Sequence, residues 1–136
     1  MALVPTPHDT AAMTLSHLTL GSAVLTFLMI MTASSLRTRL DFKVATGNRD
    51  AMPPPTPAAE RADRAAKNML ENLVLFIALV VAVGGRNPAR AELGAEIFLI
   101  ARLLYWPVYL LGIPGIRTIV WAAGAAGLVI LATAAL

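Results

Sequence analysis

At 136 residues, with 57% hydrophobic and 14% charged residues and a mean hydropathy of +0.70, the chain is too apolar for an ordinary soluble domain and suits one integral membrane domain of several spans. The absence of cysteine excludes a disulfide scaffold, a thiolate nucleophile and a cysteine metal site. A net charge of +3 and a pI near 10.0 do not mark a nucleic-acid surface, because most of the eleven basic residues flank apolar segments, where they anchor helices and set their orientation.

Residues 1–12 are polar and proline-containing and lack the basic start of a secretory signal, so no cleaved leader is expected. His8 and His17, nine residues apart, read as incidental polar groups, and no metal site is expected. Residues 14–35, TLSHLTLGSAVLTFLMIMTASS, run for 22 positions without Asp, Glu, Lys or Arg, enough for about 33 Å of helix and a first span. Arg37, Arg39 and Lys43 follow as a basic collar. The stretch ATGNRDAMPPPTPAA, with prolines at 53, 54, 55 and 57, reads as an extended or turning connection.

The second helix, about 59–83, joins a charged half to an apolar half and ends at Gly84-Gly85. Glu60 and Asp63 in its first turns complement the exposed amides there. At helical spacing Arg64, Asn68, Glu71 and Leu75 share a face, with Lys67 beside it, and nothing is charged from Asn72 to Val83. Asn87-Pro88 suggests an N-cap and first residue for a third helix, about 88–111, carrying Glu92, Glu96, Arg102, Tyr105 and Tyr109, with Pro107 expected to bend it. Glu92 and Glu96 invite a cation or proton path but read more simply as surface partners of Arg86 or Arg90. Gly112, Pro114 and Gly115 make a tight connection to Arg117 and a last span, about 117–135. Its AAGAAG at 122–127 includes the pair Ala123/Gly127, which allows close helix packing and fits a specific oligomer contact and alanine bias equally well.

The fold expected is therefore an all-α integral membrane protein, a single domain over 1–136 built as a four-transmembrane-helix bundle. Residues 36–67 hold seven of the eleven basic residues (Arg37, Arg39, Lys43, Arg49, Arg61, Arg64 and Lys67), so the long first loop is expected to be cytoplasmic and both termini outside. Arg64, Arg102 and Arg117 lie within or at the ends of helices, as does the carboxylate Glu71, and charges at that depth need partners. A structural network, Glu71 to Arg102 across two helices, satisfies them. So does an anionic ligand whose amine meets Glu71. Phosphate loops, GxSxG and HExxH are missing.

RAAKNMLEN at 64–72 followed by an apolar run, ARLLYWPVY at 101–109 and then Arg117 resemble the signature of the membrane-associated proteins in eicosanoid and glutathione metabolism, in a bacterial-type form, over nearly the full chain. The resemblance implies a homotrimer in a bacterial inner membrane, with glutathione between protomers near the cytoplasmic face. Carried over by motif, Asn68 and Glu71 would hold the glutathione backbone and amine and Arg64 a carboxylate. Tyr105 and Tyr109 would line the site, Arg102 would support Glu71, and Arg37 or Arg39 would reach the ligand from the first helix. Arg117 would hold the cysteinyl sulfur as thiolate, a guanidinium lowering the thiol's pKa and so raising the nucleophile's population. The implied activity is glutathione transfer to an apolar electrophile or reduction of a lipid hydroperoxide. Alternatives are a non-catalytic relative that binds a lipid or protein partner, and a small transporter or channel subunit. The chain departs from the signature by one residue between Tyr109 and Arg117, by Trp121 where some synthases have tyrosine, and by Lys67 where several have arginine.

Overall fold

A computed structural model describes residues 7–48, 50 and 52–136, with side chains from residue 13, and so leaves Arg49 and the side chain of His8 outside the description. The chain forms α1 (Pro7–Arg37), the short α2 (Phe42–Thr46), α3 (Pro57–Val83), α4 (Pro88–Leu111) and α5 (Pro114–Ala134), with no strand among the described residues. α1, α3, α4 and α5 each carry a segment long and apolar enough to cross a membrane. Large apolar side chains such as Leu20, Phe27, Val74, Val81, Ile100 and Ile119 stand exposed on the outside of the bundle, a surface suited to lipid rather than water.

Each apolar run is extended by its flanks. α1 spans 31 residues because its apolar stretch continues a helix begun at Pro7. Four of its hydroxyls bond back to carbonyls one turn earlier, Thr19 to Leu15, Ser22 to Leu18, Thr26 to Ser22 and Thr32 to Leu28, which satisfies these groups in an apolar setting. Residues 42–46, expected as connection, form α2 because the Asp41 carboxylate accepts from the Lys43 and Val44 amides. α3 starts at Pro57, the last proline of the run, with the Thr56 hydroxyl accepting from the Ala59 amide. Gly84 closes it in the left-handed conformation, φ +53°.

The expected Asn87 cap is not formed by the side chain. Asn87 itself adopts φ +43°, and its Nδ2 donates to the Ala134 carbonyl at 3.3 Å, so the group serves the end of α5 instead of the start of α4. α5 starts at Pro114, which puts Arg117 inside its first turn instead of at its beginning. Gly112, at φ +73°, donates to the Tyr109 carbonyl and ends α4.

α4 packs most closely on α5 and α1 on α3, with α1 also against α4 and α3 against both α4 and α5. Phe76 of α3 stacks on Phe98 of α4 with ring centroids 4.6 Å apart, at the centre of a core that includes Met29, Met69 and Leu131. α4 and α5 approach backbone to backbone at Gly94 and Gly127. A Cβ on Gly127 would lie 2.7 Å from the Phe98 amide nitrogen, and one on Gly94 would lie 2.7 Å from that of Leu131. The close contact of α5 thus runs through Gly127 to Gly94 of the same chain, while Ala123 is exposed.

A leucine at Gly127 must push the two backbones apart, at a cost of about 1–3 kcal/mol by the usual scale of overpacking, whereas one at exposed Ala123 finds room. Thermal unfolding in mild detergent is expected to show Gly127→Leu strongly destabilised and Ala123→Leu close to the parent.

Candidate functional site

Arg102 of α4 sits where α3, α4 and α5 meet. It is 1% exposed, the largest fully buried side chain among the described residues. Its Nη1 donates to Asn68 Oδ1 of α3 at 3.0 Å, and its guanidinium carbon lies 5.2 Å from the Phe98 ring centroid and 5.5 Å from that of Tyr105. α5 makes space for it at Gly124, where a Cβ would come within 3.2 Å of Arg102 Nε and 3.3 Å of Nη2. Those two nitrogens have no hydrogen-bond partner among the described residues. A buried cation is thus held by one amide oxygen and two aromatic rings, with N–H groups left over for a ligand or water.

From Arg102 the site extends along α4. Tyr105 meets Tyr109 edge to face with centroids 5.2 Å apart, and Arg117 of α5 lies over the Tyr109 ring at 5.0 Å. Arg102, Tyr105, Tyr109 and Arg117 therefore form one continuous series of cations and rings, started by Asn68. The ion pair expected between Glu71 and Arg102 is replaced by the bond to Asn68. Glu71 is exposed and has no ion-pair partner among the described residues, so its carboxylate is open to another molecule.

Arg64 of α3 makes only an exposed 3.7 Å pair with Glu60, and Lys67 a 2.8 Å pair with Asp63. Surface pairs of this kind contribute about 0–1 kcal/mol, so releasing Arg64 to a carboxylate ligand costs little. Arg37 lies elsewhere. It lines a groove of about 720 Å³ between α1 and α3, together with Glu60, Asp63 and Lys67 at its polar end and Ile30, Met31 and Leu70 at its apolar end. Its Nη1 is buried without a partner among the described residues, whereas Arg39 is exposed and donates to the Pro54 carbonyl at 3.3 Å. The groove follows the flank of α3 that meets α1, and Asn68 lies on the flank that meets α4. Within one chain Arg37 and the Asn68–Arg117 series are not brought together.

Periodicity did not single out Arg61. Its Nε donates to the Leu110 carbonyl at 2.8 Å and its guanidinium covers Gly112, tying the start of α3 to the turn between Tyr109 and Arg117. Glu92 is half-buried and Glu96 exposed, and neither forms an ion pair among the described residues. Arg86 instead donates to the Ala82 and Val83 carbonyls at the end of α3. His17 is exposed, and the described residues include no group of three His, Cys, Asp or Glu side chains suited to a metal.

Four apolar helices around a cluster of charged and aromatic side chains define an integral membrane protein. A family model for the MAPEG family matches residues 17–136, and the chain belongs to that family. No curated protein matches it.

Gly124 gives a direct test of the Arg102 seat. Gly124→Leu is expected to displace the guanidinium from Phe98 and Tyr105 and to lower stability by about 1–3 kcal/mol. Thermal unfolding in detergent measures this, with Ala126→Leu on the exposed side of α5 as the tolerated comparison.

Proposed function

We propose that the protein is a glutathione-dependent membrane transferase or peroxidase, acting on an apolar electrophile or a lipid hydroperoxide. The observation that carries this reading is the open Glu71 carboxylate beside the Asn68–Arg102–Tyr105–Tyr109–Arg117 series, a cradle with separate places for an amine, carboxylates and a sulfur. The MAPEG family includes glutathione transferases and peroxidases together with non-catalytic members, which supports glutathione as the ligand.

On this reading Glu71 accepts the glutathione amine, Asn68 its backbone and Arg64 a carboxylate, with Tyr105 and Tyr109 along the peptide. Arg102 acts through Asn68, holding the amide in a fixed orientation. Arg117 sits in the first turn of α5, where its charge adds to the positive end of the helix. The combined field stabilises a thiolate over a thiol and releases the proton to solvent. Attack by the sulfur then forms a C–S bond and expels the leaving group. With a hydroperoxide, sulfur takes the outer oxygen as the O–O bond breaks, the alkoxide takes a proton and leaves as the alcohol, and a second glutathione resolves the sulfenic acid to disulfide and water.

Arg37 enters through assembly. Because its groove lies on a different flank of α3, a ligand on Asn68 and Glu71 of one protomer would meet Arg37 of the next in a symmetric trimer, the assembly general to the family. The seven basic residues of 36–67 favour the cytoplasmic face for this site.

Glutathione at one hundred times its Kd is expected to stabilise the detergent-solubilised protein by about 2.7 kcal/mol, raising the unfolding temperature. Glu71→Gln and Arg64→Ala are expected to abolish the protection. Arg117→Ala should keep it while lowering conjugation of 1-chloro-2,4-dinitrobenzene about 10²-fold or more. Conjugation undiminished in Arg117→Ala contradicts the catalytic role given to that residue. Protection without turnover of any electrophile or hydroperoxide points to the non-catalytic branch of the family, and absence of protection removes glutathione from the account.

A further inference from the structure

We propose that the turn after α1 is an interfacial membrane anchor, in which Leu40 and Phe42 insert at the boundary of acyl chains and anionic headgroups on the membrane face where α1 ends. This does not depend on the glutathione reading. α1 closes in a Schellman motif: the Leu40 amide donates to the Ser35 carbonyl at 2.9 Å and the Arg39 amide to that of Leu36 at 3.3 Å. Arg39 and Leu40 both take left-handed backbone, φ +56° and +60°, where glycine is the usual residue. The chain is thereby folded back, so that Leu40 is hydrogen-bonded to the last turn of the span instead of leading away from it.

In this motif the apolar residue after the left-handed position normally packs on the residue whose carbonyl it bonds. Here that residue is Ser35, which offers no such surface. Leu40 is left 78% exposed and Phe42, which opens α2, 79% exposed. Two large apolar side chains are thus held outward within a few residues of a membrane-crossing segment. They are held there firmly, because Asp41 caps α2 and Arg39 Nη2 donates to the Pro54 carbonyl. The cations around them, Arg37, Arg39 and Lys43, outnumber Asp41 and complement anionic headgroups. Apolar side chains flanked by basic ones at the end of a span are the composition of a headgroup-level anchor.

The chain has no native cysteine, so Phe42→Cys carries a nitrobenzoxadiazole label at one position only. The full-length protein is reconstituted in phosphatidylcholine–phosphatidylglycerol vesicles containing lipids brominated near the headgroup. The label at 42 is expected to emit blue-shifted light and to lose on the order of half its fluorescence to bromine. A label at Asn48→Cys, in the exposed connection, should remain water-like and unquenched. Leu40→Cys provides a second probe of the same turn and should behave as position 42 does. Water-like, unquenched emission at both positions overturns the proposal. Blue-shifted emission that bromine does not touch also overturns it, since it puts the turn against a neighbouring protomer.

Discussion

The Arg102 guanidinium is the group on which the arrangement of the bundle depends. A charge buried among transmembrane helices is costly, and each of its neighbours is in place to reduce that cost. Asn68 supplies an acceptor from α3, Phe98 and Tyr105 supply ring faces from α4 itself, and Gly124 removes the side chain that α5 would otherwise put in the way. Lipid gives helices little hydrophobic reason to associate, so such specific contacts help fix the angle and register of α3 against α4 and α5. The same contacts orient Asn68, and with it the polar face of α3.

Two features transmit that arrangement to the far end of the site. Gly94 and Gly127 let α4 and α5 approach closely enough to act as one unit. Arg61 then ties the first turns of α3 to the Leu110 carbonyl and Gly112, so the turn between Tyr109 and Arg117 is fixed to the helix carrying Arg64 and Asn68. The one-residue difference in that separation does not part the two groups, since Arg117 lies over the Tyr109 ring. Placing it in the first turn of α5 leaves its charge in the positive field of the helix end, and both then favour an anion at the same point.

Much of this was readable from residue order. Long uncharged runs betray the spans because lipid excludes any other backbone arrangement, and the MAPEG signature covers the same helices. The polar face of α3 was visible from the spacing of Arg64, Asn68 and Glu71. Which of its members Arg102 takes was not, since Asn68 and Glu71 are both within reach and three-dimensional packing alone selects the inner one. That Arg37 lines the groove while Arg39 turns to the Pro54 carbonyl goes with a left-handed backbone at a non-glycine residue, for which sequence offers no warning. α2 is too short to show periodicity. Arg61 bonds a carbonyl 49 residues away, and such a bond constrains only one of the two residue types. Asn87 looked like a cap by its neighbour Pro88, but its side chain found the free carbonyl of Ala134 instead.

The most direct measurement of this account is a double-mutant cycle between Asn68 and Arg102, read by unfolding in mild detergent. Asn68→Ala leaves the buried guanidinium without its acceptor, Arg102→Met leaves the amide without its donor, and the pair removes both. The account predicts a coupling of about 1–3 kcal/mol, with the double variant much less destabilised than the sum of the singles. Effects that add to within about 0.5 kcal/mol would contradict it, since the two residues would then not act as one unit.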